Sequence, residues 1–188
     1  MKIHLMVYLL RWFMSVNTLK TTSGYLLSLI RKYSPLSAQA KSKSLEDIYN
    51  YLPISDRLST SGQPSEAQFA LIKEAGFDSV INLAPHDAEN SLADEANTLS
   101  ELGLRYTHIP VNFVRPSERK FEAFVKCMSE SEGEKVWLHC AANMRASAFL
   151  FRYRTQVLGE DLEGAGADLQ KIWTPLGVWK TFINTPRA

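Results

Sequence analysis

The segment of residues 136–147 constrains the fold most, because it joins a strand, a cysteine and a helix within a short stretch. It reads Val-Trp-Leu-His-Cys-Ala-Ala-Asn-Met-Arg-Ala-Ser. The apolar residues up to Leu138 predict a buried strand that ends at His139 and Cys140. A helical pattern begins at Met144. The sequence therefore predicts a tight loop between strand and helix, with a cysteine where the loop begins.

This loop is a predicted anion-binding cradle. Its successive amides precede a helix N-terminus, which carries partial positive charge. The same field stabilises a thiolate, so we expect Cys140 to be a stronger nucleophile than an ordinary thiol. The residues expected to bind the anion through the loop are Ala141, Ala142, Asn143, Met144 and Arg145.

Three side chains around the loop have predicted catalytic roles. Arg145 offers a planar guanidinium that could bind two oxygens of an oxyanion. Ser147 could donate a hydrogen bond to the cysteine sulfur, and His139 would brace the loop. An anionic, phosphorylated substrate is the partner that this set of residues favours.

Strands and helices alternate along the rest of the chain. Short apolar or alternating runs predict strands at 56–60, 79–83, 106–111 and 135–139, and helices begin near 64, 91, 116, 144, 162 and 176. This order predicts an α/β fold with a mostly parallel central sheet flanked by helices. Ligands bind beyond the carboxyl ends of such strands. Residues 85–90, Asn112 and residues 140–145 should therefore share one edge.

The Cys140 loop resembles the signature of the protein tyrosine and dual-specificity phosphatases. The resemblance extends over about residues 54–182. It includes Ser-Gly-Gln-Pro at 61–64, Ala-Gly-Phe at 75–77 and His-Ile-Pro-Val at 108–111. The combination is similar to a bacterial phosphatase-like group related to the module attached to some β-lactamase-like hydrolases. The resemblance implies a cysteine-phosphatase-like fold and hydrolysis of a phosphomonoester through a phosphocysteine at Cys140.

The sequence departs from that family at two places. The phosphatase signature has five residues between cysteine and arginine, whereas four separate Cys140 from Arg145. The family's general acid is an aspartate after the His-Ile-Pro-Val strand, and Asn112 stands at the matching position. An amide cannot protonate a leaving alkoxide. Asp87, His86 and Glu118 are the alternative acids on neighbouring loops.

Two other functions stay open at this point. The loop could bind phosphate or another oxyanion without turnover, as in a pseudophosphatase. It could also carry a persulfide on Cys140, because the spacing to the basic residue resembles that of rhodanese-like sulfurtransferases. In a purely structural interpretation, Cys140 is a buried thiol at a strand end.

Residues 1–44 form a predicted basic extension that precedes a phosphatase-like domain at 45–188. Residues 1–45 contain seven basic and no acidic residues. The extension could be a secretion signal, a helix on a membrane surface, or a poorly ordered segment. Location is therefore open between the cytoplasm and, with a signal, the periplasm.

Composition limits the remaining possibilities. A chain of 188 residues with 45% hydrophobic residues is sufficient for one core. The two cysteines, Cys127 and Cys140, are too few for a disulfide framework, and Cys127 is expected to be a small buried residue of a helix. No metal cluster, cofactor loop or nucleic-acid-binding surface is predicted.

Overall fold

The computed structural model describes residues 16–32 and 44–187. Helices and strands alternate through most of the described chain. The helices are α1 (Val16–Lys32), α2 (Glu66–Glu74), α3 (Glu95–Glu101), α4 (Glu118–Glu130), α5 (Met144–Gln156), α6 (Leu162–Ile172) and α7 (Val178–Asn184). The strands are β1 (Leu52–Ser55), β2 (Leu58–Ser61), β3 (Ser79–Asn82), β4 (Arg105–His108) and β5 (Val136–His139).

The five strands form one sheet in the order β1-β2-β5-β3-β4. Strands β2, β5, β3 and β4 are parallel, and only β1 is antiparallel to its neighbour. All residues of β3 and β5 are buried, and the apolar ones among them suit parallel strands covered on both faces. The predicted α/β fold with a mostly parallel sheet flanked by helices is therefore confirmed.

Two layers of side chains cover the faces of the sheet. One layer is aromatic: Phe149 of α5 contacts Phe121 and Phe124 of α4 and Phe182 of α7 through ring pairs 4.9–5.9 Å apart. Such pairs stabilise a core beyond their buried area. The other layer surrounds Trp137 of β5. The buried residues of this cluster include Phe69 and Ile72 of α2, Leu99 of α3, and Phe77 and Val80.

Local signals placed several helix ends correctly. Ser65 caps α2, next to the helix start expected near residue 64, and forms a capping box with Gln68. Gly76 follows α2 with φ of +82°, a conformation that glycine adopts without strain. The prediction that Ser91 begins the next helix is wrong: Asp94 caps α3, and Ser91 donates instead to the carbonyl of His86 at 2.7 Å.

Strand β1 was not predicted, and the strand expected at 56–60 begins later. Asp56 and Arg57 form the turn of a hairpin between β1 and β2. Pro53 argues against a strand in sequence, but β1 lies at the edge of the sheet, where a missing backbone donor is tolerated.

Helix α1 lies within the predicted N-terminal extension and contacts the domain through polar groups. Thr21 Oγ1 donates to the carbonyl of Ile172 at 2.6 Å, and Thr18 Oγ1 accepts from the amide of Thr174 at 2.8 Å. The hydroxyl of Tyr49 donates to the carbonyl of Thr21. Within the part of the chain that the structure describes, no helix is long and apolar enough to span a membrane.

Candidate active site

The register of the sheet brings the predicted functional loops to one edge. Ser61 and Asn82 are both paired with His139, and Asn82 is also paired with His108. Four parallel strands thus end at the same level. The chain leaves them through Gly62, Leu83, Ile109 and Cys140, so the loops that follow lie side by side.

The loop after β5 is short because Asn143 reverses the chain. Asn143 has a left-handed backbone (φ of 65°) and is the N-cap of α5, which begins at the next residue. Asparagine tolerates this conformation better than most residues do. Arg145 consequently lies in the first turn of α5, at the helix end that faces the loop.

Cys140 and Arg145 line the same cavity, which has a volume of about 190 Å³. The cavity is larger than the ~30 Å³ that one liquid water occupies and can hold a small oxyanion. Cys140 is almost completely buried, with 1% of its surface exposed. The lining residues are Thr21, Thr22, Tyr25, Phe113, Cys140, Ala141, Ala142, Met144 and Arg145.

The guanidinium of Arg145 is the least satisfied polar group in this cavity. Its Nε and Nη1 atoms are buried and have no hydrogen-bond partner among the described residues. Its Cζ lies 5.6 Å from the centre of the Phe113 ring, so an aromatic face supports the cation. A buried cation without an anionic partner is costly, and a bound oxyanion would supply the missing acceptors.

Three asparagine side chains tie the Cys140 loop to its surroundings, two from other loops and one from the loop itself. Asn90 Nδ2 donates to the carbonyl of Ala141 at 2.9 Å, and Asn50 Nδ2 donates to the carbonyl of Ala142 at 3.1 Å. Asn143 Nδ2 donates to the carbonyl of Asn50 at 2.8 Å and to Thr60 Oγ1 at 2.9 Å. The carbonyls of Ala141 and Ala142 are therefore occupied, and the loop is tied to the chain at Asn50, Thr60 and Asn90.

His139, the last residue of β5, makes a buried polar contact with Glu95. Its Nε2 is 3.3 Å from Glu95 Oε1, and its ring contacts Phe69 edge to face. Burial by itself raises the pKa of Glu95, but the charge of His139 and a hydrogen bond from Gln63 outweigh it and lower that pKa to about 2. This pair fixes the strand end that carries Cys140.

Glu95 was not predicted as part of the site. Glu95 stands in the first turn of α3, where acidic residues are common, so its position in the sequence indicates no role in a site. Asn82 Nδ2 donates to Glu95 Oε1 at 2.8 Å, and Gln63 Nε2 donates to Oε2. The sequence feature that could have indicated a partner such as Glu95 is His139, because a polar ring at the end of a buried strand requires a polar partner.

Ser147 lies one turn along α5 and is buried. Its hydroxyl is 2.7 Å from the carbonyl of Asn143 and 3.2 Å from that of Met144, so it bonds to the first turn of its own helix. The role predicted for Ser147 as a donor to the sulfur of Cys140 stays a prediction.

Asn112 is exposed and is not among the residues that line the cavity. Its Oδ1 accepts a hydrogen bond from the amide of Val114 at 2.9 Å, so the side chain closes a local turn. The neighbouring Phe113 points to the cavity and packs on Trp173 and Trp179. The role of Asn112 as the residue in the general-acid position stays a prediction.

The alternative acids named from sequence also lie outside the cavity lining. Glu118 accepts two hydrogen bonds from the buried guanidinium of Arg152, at 2.7 and 3.0 Å. His86 is exposed and packs against His108, with ring centres 3.9 Å apart. Asp87 is exposed on the same loop as His86. Within residues 16–32 and 44–187, therefore, no carboxylate lines the cavity.

Helix α1 contributes cavity residues that sequence analysis missed, namely Thr21, Thr22 and Tyr25. Burial raises the pKa of the Tyr25 hydroxyl, and so do the charges of Glu89 and Cys140, whereas Arg145 opposes the shift. These influences place Tyr25 in the electrostatic field of both loop residues. Only tertiary structure could reveal this, because more than a hundred residues separate Tyr25 from Cys140.

For metals, the described residues contain no group of three or more His, Cys, Asp or Glu side chains that could hold an ion. The ligands that this cavity can offer are amides, a thiol, hydroxyls and a guanidinium. This set is suited to an anion with several oxygens.

Comparison with protein families gives one match that covers most of the chain. The family described as "DSP-PTPase phosphatase fused to NAD+ Kinase" matches residues 28–171. The matched range includes the Cys140 loop, all five strands and the residues that brace the loop.

Similar proteins include a "Beta-lactamase hydrolase-like protein" of Agrobacterium fabrum (strain C58), which is 34% identical over 114 residues. That match covers 59% of this chain and 25% of the relative, so the chain spans about a quarter of its length. A "Beta-lactamase hydrolase-like protein" of Xylella fastidiosa is 33% identical over 102 residues, which cover 50% of this chain and 22% of the relative.

Among solved structures, a candidate phosphatase of Shewanella putrefaciens CN-32 is similar with a TM-score of 0.67 and 32% identity. The match covers 74% of this chain and 91% of that one. The core catalytic domain of a PP-IP phosphatase of S. cerevisiae has a TM-score of 0.63 at 14% identity, covering 74% and 86% of the two chains. The second likeness shows a shared cysteine-phosphatase fold alone.

Proposed function

Because the chain belongs to the family of DSP-PTPase phosphatases fused to NAD+ kinase, we propose that it hydrolyses a phosphomonoester with Cys140 as nucleophile. The observation that carries this proposal is the pair of buried, unpartnered nitrogens of Arg145 in the cavity that Cys140 also lines. A phosphate bound there would accept from Arg145 while its phosphorus faces the sulfur.

The chemistry proceeds in two displacements. In the first, the Cys140 thiolate forms a bond to phosphorus while the bond from phosphorus to the ester oxygen breaks, and the alcohol leaves. In the second, water attacks phosphorus and releases the thiolate and inorganic phosphate. Arg145 and the loop amides stabilise the charge on the equatorial oxygens in both steps.

Proton donation to the leaving oxygen is the step for which the described residues of this site offer the least assistance. No carboxylate among the described residues lines the cavity, and we infer that water or the hydroxyl of Tyr25 supplies the proton. A positioned acid contributes about 10²–10⁴-fold to such a step. We therefore expect turnover to depend strongly on the leaving group, with aryl phosphates much faster than alkyl phosphates.

The direct test is hydrolysis of p-nitrophenyl phosphate by the wild type, Cys140→Ser and Cys127→Ser. Cys127 is also a buried free thiol, but it lies on α4 and does not line the cavity, so it is a matched control. Cys140→Ser should abolish hydrolysis, and Cys127→Ser should retain it. Equal activity of Cys140→Ser and the wild type would refute the proposal.

The absence of a carboxylate among the described residues of the cavity also favours a second function. This function is binding of an oxyanion without turnover. In that case the wild type would bind phosphate or vanadate and hydrolyse no phosphomonoester between about pH 5 and 8, a range that spans the unperturbed histidine pKa. The sulfurtransferase alternative rests on loop spacing alone and gains no support from the family, which is one of phosphatases.

A further inference from the structure

Helix α1 exposes four large aliphatic residues on the face that points away from the domain. Val16, Leu26 and Leu27 are 79%, 56% and 55% exposed, and Leu19 is 38% exposed. At 100° per residue these four positions fall within an arc of about 100°. They form one mainly apolar face, which also includes Ser23 and which we call the outer face of α1.

The opposite face of α1 holds the helix on the domain through two buried threonines and through Tyr25, which packs against the core. Thr18 and Thr21 are buried there, at 5% and 2% exposure. Thr21 Oγ1 donates to the carbonyl of Ile172 and accepts from Asn50 Nδ2 at 3.1 Å, and the amide of Thr174 donates to Thr18 Oγ1. The hydrogen bonds of these threonines, together with the packing of Tyr25, therefore hold this side of α1 on the domain.

This arrangement is the reverse of an ordinary surface helix, whose apolar stripe faces the core. Exposing four large aliphatic side chains in one row is unfavourable in water, because each leaves apolar area that another apolar phase could remove. The outer face of α1 therefore fits an apolar partner.

Charge identifies the kind of partner. The sequence of α1 contains Lys20, Arg31 and Lys32 and no acidic residue, and residues 1–45 contain seven basic and no acidic residues. Lys20 is exposed and borders the outer face. An apolar stripe beside basic residues is complementary to an anionic lipid surface, in which the stripe enters the acyl region and the cations contact phosphate groups.

We propose that α1 is an interfacial helix that docks the protein on an anionic membrane surface through Val16, Leu19, Leu26 and Leu27. The helix has 17 residues, about 25 Å, and lies along the surface instead of crossing it. Because Thr22 and Tyr25 on its other side line the cavity of Cys140, docking brings this cavity to about one helix diameter (~10 Å) from the lipid. The proposal does not depend on phosphatase activity.

The test is co-sedimentation of the full chain with vesicles of phosphatidylcholine alone or mixed with phosphatidylglycerol. The wild type should bind the anionic vesicles, weakly or not at all the neutral ones, and less as salt increases. The double variant Leu26→Ser/Leu27→Ser should bind about tenfold or more weakly, because it loses buried methylene groups. Lys20→Glu should also weaken binding to anionic vesicles.

The matched control is Leu158→Ser/Leu162→Ser, which changes two leucines of similar exposure, 54% and 70%, away from α1. It should bind like the wild type, and circular dichroism should show all variants folded. Failure of the wild type to bind anionic vesicles, or equal binding by the Leu26/Leu27 variant, would overturn the proposal. So would a dimer that the Leu26/Leu27 variant abolishes in a protein that binds no vesicles, since the partner would then be a second copy.

Discussion

The side chain of Asn143 donates a hydrogen bond to the backbone carbonyl of Asn50 at 2.8 Å. These two asparagines are the non-glycine residues with positive φ in the described chain, at 65° and 50°. Asn50 in turn donates to the carbonyl of Ala142. The pair ties the turn before β1 to the Cys140 loop and fixes where α5 begins, which determines where Arg145 points.

We therefore predict that Asn143→Ala lowers the free energy of unfolding by about 2–4 kcal/mol, from two lost hydrogen bonds and a strained left-handed residue. Asn143→Gly should cost about half as much, because glycine adopts this backbone without strain. Urea unfolding of the three proteins measures the difference. Equal losses of unfolding free energy in Asn143→Ala and Asn143→Gly would show that the backbone conformation at residue 143 contributes nothing to stability.

Arg145 should control anion affinity. Arg145→Ala should weaken inhibition by phosphate or vanadate by about 1.5–3 kcal/mol, the range for charge-assisted hydrogen bonds. Arg145→Lys should recover only part of the lost anion affinity, because an ammonium cannot bridge two oxygens. Inhibition constants measure both changes.

Arg57→Ala is the control for this measurement, since Arg57 is exposed in the hairpin turn at the opposite end of the sheet. Its inhibition constant should equal that of the wild type. If Arg145→Ala also leaves the constant unchanged, Arg145 is not the anion-binding residue.

Much of this site was predictable because it depends on local sequence. A buried apolar strand ending in His139 and Cys140 and a helix starting at Met144 are short-range patterns, and both are confirmed by β5 and α5. Whether Arg145 could reach the cavity after a shortened loop was not predictable from spacing. The answer depends on the left-handed turn at Asn143 and on its partner Asn50, which lies 93 residues away.

Asn112→Asp tests whether the position after β4 can supply an acid. In the structure Oδ1 of Asn112 accepts from the amide of Val114, and a carboxylate would accept the same bond and stay outside the cavity. We predict that kcat/KM for an alkyl phosphate changes by less than about twofold, compared with the ~10²–10⁴-fold gain that a positioned acid gives. A gain in that larger range would place residue 112 beside the leaving oxygen.

Glu95 should make stability depend on pH. Its folded pKa of about 2 lies below the ordinary 4.5, so the ionised form stabilises the folded state above pH ~4.5, and this contribution is lost as pH falls towards 2. The contribution is on the order of 3 kcal/mol. Glu95→Gln should therefore be less stable than the wild type at pH 6, and the difference should shrink near pH 3.

The control for this prediction is Glu74→Gln, at an exposed position of α2. Urea unfolding at pH 6 and pH 3 should give it the same pH dependence as the wild type. A difference between Glu95→Gln and the wild type that stays constant over this range would mean that ionisation of Glu95 does not contribute.

The contribution of α1 to the cavity could not be predicted from sequence. Thr21, Thr22 and Tyr25 carry no motif, and their role follows from hydrogen bonds to Ile172 and Asn50, which are distant in the chain. Sequence identified the basic charge of this segment but not which side of the helix faces the domain. That orientation results from tertiary hydrogen bonds.

Trapping the covalent intermediate shows whether the phosphoryl group passes through Cys140. The wild type is mixed with p-nitrophenyl phosphate, quenched in acid during turnover, and analysed by peptide mass spectrometry. We expect one phosphoryl group on the peptide that contains Cys140, and none on that peptide in Cys140→Ser. Steady hydrolysis with no phosphoryl group on Cys140, or with the group on another residue, would contradict it.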